Sequence, residues 1–341
     1  MNCQCFIVPG DVLDRFAKDK SLPESARKAF ADALAYEQHW RKLRAQHGKT
    51  SAQAQLALSA GVALAAAPAV TIYNCASSTS LPGTPIPNPG SAGDQTAKRA
   101  FQETTAVADF YQKVFGRNSI DNLGMTMQSS IHFGVKYNNA FWNGAQMTYG
   151  DGDNSIFIDF TKARDVIGHE LTHGVTQYTA QFAYANEPGG LNESISDVFG
   201  SMFRQWRAKQ TVKQADWLIG KEIMGPAAIA KGYTCLRDMA NPGAKHCLAP
   251  QPKHYSQYTP GMDPHYSSGI PNAAFYSAAM VIGGNSWEIT GKIWYQALTG
   301  FGPSPNLTMA KFAARTRTIA QATTKPAIIA AVDKAWKNVG L

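Results

Sequence analysis

The chain reads as an α+β protein of two lobes. A β-rich amino-terminal half and a helical carboxy-terminal half flank a metal-ligand helix, and a short helical unit comes first. Three observations predict this. Between Thr71 and Phe160, short apolar runs alternate with clusters of Ser, Pro, Gly and Asn, the pattern of strands and turns. Beyond Gly200, apolar residues recur at helical spacing between breaks at Gly225-Pro226, Asn241-Pro242-Gly243, Pro260-Gly261 and Gly300 to Pro305. Between the two halves lies Val166-Ile167-Gly168-His169-Glu170-Leu171-Thr172-His173-Gly174. No internal repeat is visible.

The elements follow in order. Residues 1–48 form a helical unit: Asp11 is placed to cap a helix carrying Val12, Leu13 and Phe16, and Ser21-Leu22-Pro23 leads into a second, from Glu24 to about Gln46. Two such helices bury little alone and need the rest of the chain as a partner surface. Residues 49–69 are a connection that carries no charge after Lys49, within a stretch that has no charged residue between Lys49 and Asp94. Its apolar run resembles a signal core, but Gly61, Pro68 and its internal position favour a linker or activation segment open to proteolysis. Residues 70–180 should begin with a strand at Val70, Ile72 and Tyr73, followed by a helix over 94–115. A strand-like stretch at 125–137, a turn at 138–144, a return at 147–149 forming a sheet edge, and a short apolar strand at 156–160 come next. Residues 181–341 should start with a turn-rich break at 186–190 and a helix from Leu191, with later helices over 270–281, 286–298, 309–322 and 326–339.

At 341 residues and 44% hydrophobic content, there is ample material for a core. The net charge of +8 and pI near 9.1 come from scattered Lys and Arg, densest at Arg41, Lys42 and Arg44, which argues against a nucleic-acid partner. No run is long enough to span a bilayer, so no membrane partner is expected, and residues 1–6 lack the basic-then-apolar pattern of a secretory signal. The five cysteines, Cys3, Cys5, Cys75, Cys235 and Cys247, show no zinc-ribbon spacing. Cys235 and Cys247 flank a loop, and a local disulfide and two separate thiols both remain open; Cys3 and Cys5 could offer a thiolate to a metal or be incidental.

On a helix, residues four apart differ by about 40° in direction, so His169 and His173 point the same way and can share one metal ion. Glu170 projects about 100° from His169, too far round to chelate beside it but within reach of a metal-activated water as a base. This is the zinc peptidase pattern His-Glu-x-x-His, which arises by chance in roughly one sequence in a hundred of this length. A third ligand therefore decides its meaning. Leu191, Ile195, Val198 and Phe199 recur at helical spacing around Glu193 and Asp197, four apart on one face. Glu193 can then ligate the metal while Asp197 accepts the second ring N–H of a ligating histidine. Two His, one Glu and a water make a catalytic zinc set.

Further ordered motifs accompany these residues: Tyr137-Asn138-Asn139-Ala140-Phe141-Trp142-Asn143-Gly144, Tyr149-Gly150-Asp151-Gly152-Asp153, Asn192-Glu193 with Asp197, Leu236-Arg237, His254-Tyr255-Ser256, and His265 with Ser268-Gly269-Ile270. With them the chain resembles the thermolysin-like zinc metalloendopeptidases from about residue 70 to its end. The leader Phe6-Ile7-Val8-Pro9-Gly10-Asp11-Val12-Leu13-Asp14-Arg15-Phe16 resembles the short propeptide of the protealysin-like branch. The resemblance implies a two-lobed fold with the zinc helix along the cleft floor, one zinc on His169, His173 and Glu193, and Glu170 as the base that takes a proton from zinc-bound water and passes it to the leaving amine. It implies His265 and Tyr184 as oxyanion donors, with Asp197 orienting His169 and Asn192 orienting His173. Arg237, Asn139 and Ala140 would contact the substrate backbone, and Phe157, Phe160, Val166, Ile219 and Leu236 would line an apolar pocket for the residue after the scissile bond.

The implied partners are protein or peptide substrates and the chain's own propeptide, removed between about Gly48 and Val70; the implied location is extracellular. The sequence does not address oligomeric state. A non-catalytic zinc-binding partner protein is the competing class, against which Glu170, Tyr184 and His265 argue; an exopeptidase is a second, for which no terminus-capturing feature is evident. Calcium-binding family members carry a carboxylate cluster where this chain has Asp165 and Asp216 but also Arg204, Leu218 and Lys221. The double calcium site is therefore expected to be lost or reduced, with Arg204 or Lys221 pairing Asp165 or Asp216. The approach to His265, Gly261-Met262-Asp263-Pro264, leaves open whether Asp263 orients that ring.

Overall fold

The computed structural model describes residues 5–47 and 68–341. All but the last two residues of the expected activation segment lie outside the described residues. Described strands are β1 (Cys5–Phe6), β2 (Val70–Asn74), β3 (Thr84–Pro85), β4 (Met127–Ile131), β5 (Ala140–Trp142), β6 (Met147–Tyr149), β7 (Leu218–Ile219) and β8 (Arg237–Asp238). Described helices are α1 (Gly10–Lys18), α2 (Glu24–His47), α3 (Gln95–Phe115), α4 (Arg164–Gln177), α5 (Asn186–Ala208), α6 (Pro226–Ala230), α7 (Pro264–Ser267), α8 (Gly269–Ile282), α9 (Ile289–Thr299), α10 (Met309–Ala322) and α11 (Pro326–Asn338).

The first lobe is built on a sheet of order β1-β5-β6-β4-β2-β3, with β4 parallel to β2 and β6 and the remaining pairs antiparallel. Helix α3 packs across β2 and β4 and against α4. Its start is fixed by the Asp94 carboxylate, which accepts the Thr96 and Ala97 amides, and its end by Gly116 at φ 68°. The second lobe is helical, with α5 packed on α4, α7, α8 and α10, and α11 on α8 and α10. Helices α4 and α5 meet so closely that a Cβ on Gly200 would stand 2.4 Å from the Asp165 carbonyl oxygen. That approach brings the two ligand-bearing helices within reach of one metal ion.

Five element expectations are corrected. The strand at 125–137 stops at Ile131, because His132, Gly134 and Lys136 all take positive φ. Residues 138–144 are not simply a turn: Ala140–Trp142 is a strand within them. Residues 156–160 do not form a strand, since Asp153 Oδ1 gathers the amides of Ser155, Ile156 and Phe157 into a turn and only Phe157 makes a bridge, to Met224. The break at 186–190 is instead the first turn of α5, where Gly189 and Gly190 let Pro264 and Ser267 come close. In the leader, Pro9 rather than Asp11 occupies the helix cap. Strand β1, which no sequence signal announced, pairs with β5, so the expected free edge at this side of the sheet is covered.

Candidate active site

Helix α4 is buried along nearly its whole length, which explains why small, apolar and functional residues surround it on every side. His169 and His173 stand one turn apart with their Nε2 atoms 3.0 Å from each other. The Nδ1 of His169 lies 2.9 Å from Asp197 Oδ1, and that of His173 lies 2.8 Å from Asn192 Oδ1. Both acceptors take the Nδ1 proton, so in the neutral rings two Nε2 lone pairs face each other. From α5, Glu193 reaches between them, 3.5 Å from each Nε2, and its Oε2 is buried without a hydrogen-bond partner.

Opposed lone pairs beside an orphaned carboxylate oxygen, all at zero exposure, form a place that suits a cation. Burial works against charge on His169, yet the Asp197 and Glu193 carboxylates raise it to about 9, so a proton on His169 shared with His173 can also fill this place, while burial pushes His173 down to about 3. Burial opposes charge on Glu193 too, but His265 and His173 hold it well below the usual carboxylate range. His169, His173 and Glu193 can hold a metal ion, and an imidazole–imidazole–carboxylate set suits zinc.

Glu170 points along the cleft floor. Its Oε2 accepts the Trp142 amide at 3.0 Å, and its Oε1 is buried with no partner. Burial drives this carboxyl well above its ordinary range, the direction expected of a group that must take up a proton. On the other side, the Tyr184 hydroxyl donates a short hydrogen bond to Glu193 Oε1 and lies 3.4 Å from His265 Nε2. Asp263, left open by the sequence, does reach its neighbour: its Oδ1 is 2.6 Å from His265 Nδ1. Against the cost of burial, Glu193 and Asp263 raise His265 to about 9, so both ring nitrogens carry protons near neutrality.

Arg237 is wholly buried, not a surface ion pair. It grips Asp197 through Nε at 2.8 Å and Nη2 at 2.7 Å, and Asn272 Nδ2 reaches the same carboxylate at 2.9 Å. Asp197 thus fixes a ring and a guanidinium at once. Phe157, Phe160, Val166, Ile219 and Leu236 are all at zero exposure, and the Leu236 amide donates to the Ile219 carbonyl at 2.9 Å.

The leader occupies the cleft beside these groups. His265 Nε2 donates to the Phe6 carbonyl at 2.5 Å, and Arg237 Nη1 donates to the Ile7 carbonyl at 3.0 Å. The Ile7 amide donates to the Ala140 carbonyl, and the Asn139 side chain takes both the Val8 amide at 3.0 Å and the Val8 carbonyl at 3.1 Å. Tyr36 of α2 sits against Phe133, Tyr137 and Phe141, and Phe30 against Phe157. Arg41 pairs with Asp263 at 2.9 Å and with buried Glu37. Cys3 lies outside the described residues, and Cys5 is held in a disulfide, so Cys5 has no thiolate to offer.

Sequence reasoning missed Asn272, the Trp142 amide, and the pair Glu37 and Arg41. Asn272, the Trp142 amide and Arg41 reach partners in distant stretches, which no local pattern marks, while Glu37 and Arg41 stand four apart on α2, a spacing that could have signalled the pair. At the start of α4, Arg204 Nη1 stands 3.2 Å from Asp165 and 3.4 Å from Glu222, Arg204 Nη2 makes a short contact with Asp216, and Lys221 pairs with Asp216 at 3.1 Å. Burial raises Asp165 to about 7 despite the arginine.

Two family models match the chain: one described as thermolysin metallopeptidase, catalytic domain, over residues 67–177, and one described as thermolysin metallopeptidase, alpha-helical domain, over residues 180–341. An extracellular metalloprotease of Pectobacterium carotovorum subsp. carotovorum is 40% identical over 282 residues, 80% of each chain. Protease PrtS of Photorhabdus sp. (strain Az29) is 39% identical over 284 residues, 80% of this chain and 76% of the relative. The solved precursor of protealysin, a metalloproteinase from Serratia proteamaculans, superposes with a TM-score of 0.84 at 35% identity, covering 98% of this chain and 99% of that one.

Proposed function

Because the chain belongs to the thermolysin metallopeptidase family and is a zinc metalloendopeptidase, we propose that His169, His173 and Glu193 hold its zinc and that Glu170 is its general base. The observation that carries this reading is the meeting of two opposed Nε2 atoms and an unpartnered Glu193 oxygen, with the unpartnered Oε1 of Glu170 on the same helix.

Zinc, when bound, supplies Lewis-acid polarisation of the scissile carbonyl and makes water acidic enough to lose a proton near neutral pH. The protein's own groups do the rest. Glu170 takes that proton on the attacking side and delivers it to the departing amide nitrogen, a transfer its raised affinity for protons favours. His265 and Tyr184 donate to the oxygen on which negative charge develops, and Asp263 keeps the His265 ring turned and charged. Asp197 and Asn192 hold the two zinc-binding rings in register. Arg237 receives the carbonyl of the residue after the scissile bond, and Asn139 and Ala140 hold the substrate backbone beside β5. The contacts these residues make with Phe6, Ile7 and Val8 support that assignment. Phe157, Phe160, Val166, Ile219 and Leu236 form an apolar pocket, so cleavage falls before bulky apolar residues.

Residues 1–48 are a propeptide that blocks the cleft until the connection at 49–69 is cut, leaving residues 70–180 and 181–341 as the two catalytic lobes. The direct bond from His265 to the leader supports this. Arg204 takes the place of calcium beside Asp165 and Asp216, supported by its contacts with three carboxylates. The protein acts outside the cell, a reading supported by its similarity to the extracellular metalloprotease of Pectobacterium. No described helix is long and apolar enough to cross a membrane.

The test is hydrolysis of casein and of an end-blocked peptide by the processed enzyme. Chelation should abolish activity and zinc should restore it. Glu170→Gln should lower kcat by roughly 10²- to 10⁴-fold at unchanged zinc content. Activity that survives Glu170→Gln would sink the mechanism, and failure on blocked peptides would point to an exopeptidase.

A further inference from the structure

On the far side of Leu236 and Arg237 lies a second cluster of metal-ligating side chains that the peptidase chemistry does not use. Cys235 and Cys247 face each other across an isolated parallel bridge, both at zero exposure, with their sulfurs 3.6 Å apart. A disulfide needs about 2.05 Å, so the thiols are free. The edge of a tetrahedron around zinc with two Zn–S bonds of about 2.3 Å is about 3.8 Å, close to the separation found.

A ring nitrogen of His246 lies within 4.8 Å of both sulfurs. The ring also has a carboxylate neighbour: its Nε2 stands 3.3 Å from Asp238 Oδ2, while Asp238 Oδ1 is occupied by the Ala240 and Asn241 amides. A carboxylate bonded to one ring nitrogen, with the other left for the cation, is the usual support of a metal-binding imidazole. The backbone is already set. The Thr234 amide donates to the His246 carbonyl at 2.9 Å, and the Leu248 amide to the Cys235 carbonyl at 2.9 Å, so both ends of the loop are pinned.

We propose that Cys235, Cys247 and His246 form a second metal site that takes zinc or another thiolate-seeking divalent cation and has a structural role. Binding releases two thiol protons to solvent and leaves two thiolates and a neutral imidazole on the cation, with the fourth position open to water on the half-exposed His246 side. The cation closes the loop beside β8 and ties Cys235, next but one to Arg237, to the 247–249 segment, whose Ala249 amide bonds the Leu236 carbonyl at 3.0 Å. This site stands apart from the catalytic reading, since it shares no ligand with it.

Full-length Glu170→Gln protein, stripped of metal and reloaded with cobalt(II) alone, tests the proposal. The His169, His173 and Glu193 set contains no sulfur, so thiolate-to-cobalt charge-transfer absorption in the near ultraviolet cannot come from it, and replacing Cys235 and Cys247 separates this cluster from the other free thiol among the described residues, Cys75. Expected are that band and two cobalt per chain, falling to one with loss of the band in Cys235→Ser/Cys247→Ser. His246→Asn, at a half-exposed position that folding should tolerate, should weaken cobalt binding at the band roughly 10- to 100-fold. Failure of the catalytic assignment alone would leave the band with one cobalt. Absence of the band with the two thiols free, or peptide mapping that finds Cys235 and Cys247 joined in a disulfide, overturns the proposal.

Discussion

Asn139→Ala should loosen the leader without touching the metal ligands. The Asn139 side chain satisfies both the amide and the carbonyl of Val8, at 3.0 and 3.1 Å, and Val8 has zero exposure. Truncation leaves two buried backbone groups unpaired. At about 1–3 kcal/mol for each orphan, partly relieved by water entering the space, the docked leader loses about 2–4 kcal/mol. One tenfold change corresponds to about 1.4 kcal/mol, so opening of the segment becomes roughly 30- to 1000-fold more frequent. Hydrogen exchange of the Phe6, Ile7 and Val8 amides reads that opening directly, in a Glu170→Gln background that prevents self-digestion. Amides in the middle of α4 serve as the internal control and should not change. If the leader amides keep their original protection, Asn139 does not hold the leader and the account of how the cleft is blocked fails.

Other consequences concern charge. Arg204→Leu removes the cation shared by Asp165, Asp216 and Glu222; because Asp165, already raised to about 7, can take up a proton, the cost by urea unfolding should be about 1–2 kcal/mol at pH 7 and larger at higher pH. In the unsubstituted protein calcium should hardly move Tm; a strong rise would show that the site still binds it. His132 sits between Asp151 and Asp94 at 2.8 Å from each, and hydrogen bonding to Asp151, then to Asp94, raises it from 6.5 to about 9 against partial burial. Its folded pKa exceeds its unfolded one, so the contribution, at most about 3 kcal/mol, is complete below about pH 6.5 and disappears as pH rises through about 9. Unfolding free energies of the original and His132→Gln proteins should therefore converge above that pH, and a gap that persists to pH 10 would refute the assignment.

Much of the helical architecture was legible because its signals are local. Asp94 as a cap, Pro326 in a first turn, and the four-residue spacing of His169 and His173 each act within one turn. The short strands were harder to read. Ala140–Trp142 is buried on both faces, so it shows no alternation, and its neighbours Asn138 and Asn139 read as turn formers although both side chains are bonded to distant backbone. The non-glycine positive φ at His132 and Lys136 that ends β4 has no residue-type signature. At the site, the shared faces of His169 with His173 and of Glu193 with Asp197 could be read from spacing, whereas Asn192 entered only through the family resemblance. Asn272 and Arg41 act across more than 70 positions and became visible only once the chain was folded.

Among the described residues, strand β5 has β6 on one side and, on the other, β1 with the Ile7 amide that follows it. Once the leader departs, its backbone donors and acceptors are vacant, and a substrate must fill them as the leader did, by lying down as one more strand. A helix cannot do this, nor can a segment already paired in a sheet. The enzyme would therefore sample the folding state of its targets before their side chains. Loops, termini and transiently opened regions of a protein would be cut at rates set by how often they unfold, and a stable domain would resist cleavage even where its sequence offers many suitable apolar residues.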